Sequence, residues 1–313
     1  MSNTALSRHM KFLWLAIPAV GVAELLGHLY FSRRAPRIEE WRAVAAQVAS
    51  LKREGDLLVI APAWAEPLAR NAFGDALLPI SEIARPDETG YSRVIEVSAL
   101  GESNPLVARW PVVTEVSFGR FDLRTRRNPS FRPALFVLTD HATPPQLSVT
   151  QRWVTGQSES CSYGTRPASS MSGLLARPAL PRQRFACGPA EGNFVGTTII
   201  EDQQYRARRC LWANPSPGGL LTLTFPQVPI GEELYGYVGF PYFRFRDRGW
   251  SKVDITFTVD ETTLGSHSHL PELGWQPFRF STTALRGTMH EVRVQIFGAD
   301  SRELELCFYA ATR

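Results

Sequence analysis

His267-Ser268-His269 comes nearest to a metal site in this sequence, because alternate residues of an extended chain share a side and two imidazoles could face one ion. An ion needs further ligands, and none stands at a recognisable spacing. The pair therefore reads as solvent-exposed loop, and neither metal nor cofactor is expected. Asp254, Asp260, Glu261 and Glu272 could supply paired carboxylates for acid–base work, or oxygens for calcium. Each also stands where an outward-facing or turn acid would, as do Glu66 and Glu82 of the first half. Phosphate loops, GxSxG and HExxH are absent. With no catalytic constellation, a non-enzymatic protein is the expectation.

A binding face is better motivated. Tyr235, Tyr237, Tyr242, Phe243, Trp250 and Trp275 fall close together, and Trp250 follows Arg246-Asp247-Arg248-Gly249. Aromatic rings beside Arg and Asp can stack on a sugar and hydrogen-bond its hydroxyls. Tyr237, Tyr242, Arg246, Asp247 and Trp250 are the candidate ligand-binding residues, whereas Trp275 is assigned to the core.

Cys161, Cys187, Cys210 and Cys307 are confined to the second half, and none forms CxxC. Four cysteines allow three pairings. The expected one is Cys161–Cys187, closing a Ser/Gly/Pro-rich loop, with Cys210–Cys307 tying the first strand of a sandwich to its last. Free thiols in a cytoplasmic protein are the alternative. Disulfides imply an oxidising compartment.

The elements that must position these residues fill 313 positions, enough for two domains. Residues 12–31 are mostly apolar, near the ~20 needed to cross a bilayer. Glu24 and His28 lie inside that stretch, spaced to face each other one helical turn apart. Arg8, Lys11, the run 12–20 and Gly21-Val22-Ala23 would also suit a cleaved signal peptide. The apolar run continues past that point, which favours an uncleaved anchor. Arg8 and Lys11 at one end against Arg33, Arg34 and Arg37 at the other leave orientation open; the cysteines argue for a body outside the cytoplasm.

Ile38, Trp41, Val44, Ala45, Val48 and Leu51 repeat at three and four, predicting an amphipathic helix over 38–54. Buried-type strands follow at 56–62 and 93–98 with a short helix at 65–73 between them, a small α/β unit with a parallel pair. A half-exposed strand or hairpin spans 114–126, with Gly119 at its bend. Residues 140–195 are rich in Pro, Ser, Gly and Arg, with short strands at 134–138 and 146–153. From 197 onward eight segments of period-2 alternation recur: 197–200, 208–212, 220–225, 234–240, 253–259, 275–281, 292–297 and 304–310. That spacing predicts an antiparallel sandwich. The organisation expected is α+β and multidomain: a tail and transmembrane helix (1–37), a small α/β domain (38–128), a loop-rich connector (129–194) and a jelly-roll-like β-sandwich (195–313).

The net charge of +4 is almost all arginine, since Lys11, Lys52 and Lys252 are the only lysines. Arg124, Arg126, Arg127 and Arg206, Arg208, Arg209 are the densest basic runs, and acids interleave the rest. No helix carries a basic stripe, so nucleic acid is excluded as a partner.

Two stretches resemble known proteins. Trp41, Gly55-Asp56 before a strand, and Phe118-Gly119-Arg120-Phe121-Asp122-Leu123-Arg124 give residues 38–126 a resemblance to a small soluble domain of family 39 glycosyltransferases. That domain follows the membrane helices of these dolichyl-phosphate-mannose-type enzymes. Residues 221–225, Val228-Pro229-Ile230-Gly231, Val259-Asp260-Glu261, Leu264-Gly265 and Gly274-Trp275 make the second half resemble the jelly-roll modules of carbohydrate-active proteins. Such transferases hold their catalytic acid between membrane helices, and one span leaves nowhere to build that site. The resemblance implies at most an accessory or degenerate component of an envelope glycosyltransferase system. The leading expectation is a single-pass inner-membrane protein, its body in the periplasm, binding a glycan or an envelope protein through its sandwich.

Overall fold

In a computed structural model of the chain, residues 4–166, 181–188, 193–242, 252–299 and 306–313 are described, the side chains of 4–15, 31 and 271 excepted. The chain divides into two compact units. One comprises Met1–Pro79 and Ser92–Pro129, the other Ile80–Tyr91 and Ser130–Arg313.

The first unit begins with helix α1 (Thr4–Arg34). Among the described residues no helix is long and apolar enough to cross a membrane, so the span expected over 12–31 gains no support. Glu24 and His28 are exposed on α1, and Pro18 lies inside the helix. Helix α2 (Ile38–Leu51) buries Trp41, Val44 and Val48, the stripe its spacing predicts. Trp41 meets Phe73 of α3 (Glu66–Leu77) edge-on, with ring centroids 5.9 Å apart. Helix α3 bends at Gly74, whose φ of 67° suits glycine. Strands β1 (Leu57–Ala61) and β2 (Arg93–Ala99) pair in parallel, and both are buried almost throughout. They take apolar residues in continuous runs because both sheet faces are covered. The hairpin of β3 (Val112–Phe118) and β4 (Phe121–Arg127) turns at Gly119 (φ 60°) and completes a sheet ordered β1-β2-β4-β3. A buried ion pair stands in this interior. Glu96 of β2 is fully buried, bound by the Arg126 guanidinium at 2.8 Å and by the Asn104 backbone N–H at 2.6 Å.

The second unit is a two-sheet β-sandwich. The eight segments expected after residue 195 are all strands: β10 (Phe194–Glu201), β11 (Ala207–Ala213), β12 (Leu220–Pro229), β13 (Glu233–Gly239), β14 (Val253–Val259), β16 (Gln276–Ser281), β17 (Met289–Gly298) and β18 (Cys307–Thr312). A ninth, β15 (Thr262–His269), had no expected counterpart. Short strands from the stretch read as connector join them: β5 (Phe136–Val137), β6 (Ser148–Arg152), β7 (Ser158–Ser160), β8 (Ser162–Thr165) and β9 (Gln183–Ala186). One sheet runs β16-β13-β18-β11-β10-β9-β8, with β5 also on β18; the other runs β15-β14-β17-β12-β6-β7.

Alternation sorts the side chains. Leu221, Leu223, Phe225, Val253, Ile255, Phe257, Val292, Val294 and Ile296 meet Leu211, Leu234, Val238, Phe308 and Ala310 in the core between the sheets. The opposite face of the larger sheet is apolar as well. It carries Phe194, Cys210, Trp212 and Cys307 in one cluster, and Tyr235, Tyr309 and Ala311 in another. Segment Ile80–Tyr91, with the one-turn helix α4 (Ile80–Ile83), is tied to this sheet. The Arg209 N–H donates to Ala84 O at 2.6 Å, Arg208 donates to Pro86 O at 3.0 Å, and Arg313 donates to Thr89 Oγ1 at 3.1 Å. Both expected disulfides form, Cys161–Cys187 and Cys210–Cys307.

Candidate functional site

A cleft of about 600 Å³ opens in the second unit. Its charged and aromatic lining is Arg85, Asp87, Tyr91, Asp140, Arg209, Tyr235 and Tyr309, and Pro133, Ala134 and Val137 are among its smaller walls. Strand alternation explains the phenols. Tyr235 of β13 and Tyr309 of β18 point away from the sandwich core, and their rings meet edge-on at 6.2 Å. The Arg313 guanidinium lies 3.8 Å over the Tyr235 ring and holds it in place.

Asp87 is set by a local turn. One carboxylate oxygen accepts from the Thr89 N–H at 2.9 Å and the Thr89 hydroxyl at 2.8 Å; the other accepts from the Tyr237 hydroxyl at 2.7 Å. Arg85 is braced by Glu82 O and the Glu88 carboxylate. Arg209 pairs with Asp140, and both side chains keep substantial exposure, 31% and 48%. A solute can reach this pair and compete for it.

Burial pushes the Tyr235, Tyr309 and Tyr91 phenols above their ordinary value, and Tyr237 likewise, with Asp87 adding to the effect. They remain neutral at physiological pH, able to donate and accept hydrogen bonds. The arrangement offers alternating donors and acceptors around aromatic edges. That is chemistry for holding a ligand rich in hydroxyl groups.

Of the residues singled out from the sequence, Tyr237 lies against this cleft through Asp87 but does not line it. Its ring stacks on Trp275, with centroids 6.0 Å apart and planes 3° apart. Tyr242 pairs instead with Tyr205, ring to ring at 4.3 Å, with the two hydroxyls hydrogen-bonded. Arg246, Asp247 and Trp250 lie outside the described residues. Asp87, Asp140, Arg209 and Tyr309 were not foreseen. Nothing in the stretch Asp87-Glu88-Thr89-Gly90 pointed to a sheet some 150 residues away.

The acids do not gather. Asp254 is engaged by Ser268 and by Lys252 at 3.2 Å, Asp260 accepts from His290 at 2.6 Å, and Glu261 faces Arg293 at 3.8 Å. Among the described residues no group of three or more His, Cys, Asp or Glu could hold a metal ion. His267 and His269 correct the exposed-loop reading: both are in β15, and His269 is fully buried, stacked on Phe240. Neither ring nitrogen of His269 reaches a well-aligned hydrogen-bond partner.

Burial lowers the His269 pKa to about 4, and His267 adds to the effect. A histidine held below its unfolded value of about 6.5 stabilises the fold fully above that pH. The contribution is expected to fall as pH drops from 6.5 and to level off below about 4. Urea unfolding across this range should show a loss larger in the wild type than in His269→Phe, by up to about 3 kcal/mol. Parallel curves for the two proteins would contradict it.

No protein-family model matches the chain, and no curated protein matches it. The resemblance of residues 38–126 to the family 39 domain thus gains no support. Among solved structures, the chain is similar to CBM51-2, in complex with GlcNAc, and INT domains from Clostridium perfringens ZmpB. The identity is 12%, over 53% of this chain and 35% of that one, with a TM-score of 0.28. The chain thus spans about a third of that structure's length. It is also similar to CBM51 from Clostridium perfringens GH95 in complex with methyl-galactose: 3% identity, 37% and 77% coverage, TM-score 0.27. A third is the mannan-recognising carbohydrate-binding module TmCBM27, at 10% identity, 48% and 95% coverage and a TM-score of 0.25. The sandwich itself is read from the strand pairing above.

Proposed function

We propose that the sandwich unit is a non-enzymatic glycan-binding module, with the cleft around Arg209, Asp140 and Asp87 as its site. The observation that carries this reading is the exposed Arg209–Asp140 pair beside Asp87 and three neutral phenols. A planar guanidinium next to a carboxylate can grip neighbouring hydroxyls of one sugar ring, the first as donor and the second as acceptor. The phenols add hydrogen bonds and apolar edges without contributing charge. The two disulfides support a working place in an oxidising compartment, outside the cytoplasm.

Glycan-array screening of the full chain, followed by calorimetry on the best ligand, tests the proposal. Arg209→Ala and Asp140→Ala should each weaken binding about tenfold or more, the worth of a hydrogen bond to a charged group at ~1.5–3 kcal/mol. An array without a single ligand, or affinity unchanged by both substitutions, would sink the reading.

A further inference from the structure

The edge of the first unit's sheet offers a second kind of contact. Among the described residues strand β3 is the last in the order β1-β2-β4-β3, so one of its two edges has no neighbour in the sheet. All seven of its residues are exposed, and four are apolar: Val112 at 45%, Val113 at 61%, Val116 at 43% and Phe118 at 37%. An edge strand with open N–H and C=O groups invites another strand, and proteins that avoid this place charges, prolines or covering elements on it. Here the one charged residue of the strand, Glu115, turns back to Arg124 of β4 at 2.7 Å, so its charge is compensated within its own sheet. The irregularity between Val112 and Thr114 disturbs only the start of β3, which leaves Thr114 to Phe118 regular.

We infer that β3 is a homodimer interface, pairing antiparallel with β3 of a second copy about Val116. The register follows by elimination. Pairing centred on Thr114 would run into the irregularity between Val112 and Thr114. Centring on Glu115 opposes two carboxylates, and like charges directly opposite destabilise a pair. Centring on Ser117 leaves too short an overlap. About Val116, Thr114 faces Phe118 of the second copy, Glu115 faces Ser117, and Val116 faces itself. Val116 then meets Val116, flanked on the same face by the two Thr114–Phe118 pairs, and no like charges meet. A two-fold axis makes such a contact closed, so it ends at a dimer. The occupant is a strand because an apolar surface alone would leave the open backbone groups unsatisfied.

The full chain tests this by sedimentation and by cysteine crosslinking. The wild type should sediment with twice the mass of one chain, and Val116→Asp, which sets two carboxylates opposite each other, should sediment as one chain. Among the described residues no cysteine is free, so an added thiol reports its own neighbourhood. Under mild oxidation Val116→Cys should give a covalent dimer, while Val113→Cys, off the axis, should stay a single chain on a non-reducing gel. A monomeric wild type, or crosslinking equal at both positions, would overturn the proposal. Both substituted sites are exposed, and unchanged circular dichroism verifies that each variant folds.

Discussion

Replacing Cys210 and Cys307 together by alanine is expected to lower the stability of the sandwich by about 4–5 kcal/mol. The bond closes a loop of sequence separation 97, and in the chain-entropy relation the stabilisation grows with the logarithm of that length. Both sulfurs are fully buried, packed among Phe194, Ile200 and Trp212, so the substitution also removes contacts in a closed cluster. The bond further joins β11 to β18 near the middle of the larger sheet. The other bridge, Cys161–Cys187, spans 26 residues and should cost about 3.5 kcal/mol when removed. Urea midpoints of the two double variants would measure the difference. Equal losses would show that loop length is not what governs these bonds.

Arg126→Leu should destabilise the first unit by about 3–5 kcal/mol, the usual consequence of removing one partner from a buried ion pair. Glu96 would keep the hydrogen bond from the Asn104 N–H, but its nearest remaining cation would be Arg124 at 3.9 Å. The Ala108 and Trp110 carbonyls would also lose their donor. The double variant Glu96→Leu, Arg126→Leu should recover much of the loss, because it leaves no uncompensated charge. A double variant as unstable as the sum of the two single ones would show that the pair is not coupled.

Legibility differed sharply between elements. Val253, Ile255, Phe257 and Val259 alternate with polar residues, and β14 has the bounds that pattern predicts. The α2 stripe and the parallel β1–β2 pair were equally plain, because burial on one helix face or on both sheet faces writes itself into residue order. Strand β15 was missed because Thr262-Thr263-Leu264-Gly265-Ser266-His267-Ser268-His269 carries almost no large apolar residues. It lies at a sheet edge, and its inward positions are filled by the two imidazoles. Strands β7, β8 and β9 are three or four residues each, too short for a period to appear.

The cleft shows the same division. That aromatic residues would gather on β13 was readable, since Tyr235 and Tyr237 stand two apart and must share a face. Which face was not readable. The larger sheet is apolar on both sides, so alternation alone does not separate inside from outside.

Residue order by itself determined the strand alternation, the helical stripe and, through the cysteine positions, a sandwich tied to its last strand, although Cys210 stands in β11 and not in the first strand as expected. Those are local or pairwise properties, governed by side-chain periodicity and a covalent bond. Only the tertiary structure decided that Asp87 and Arg209 face one cleft, that His269 is buried against Phe240, and that β3 is the last strand in the order of its sheet. Each of these depends on which elements become neighbours. That choice is made by the packing of whole faces, and no short stretch of sequence contains it.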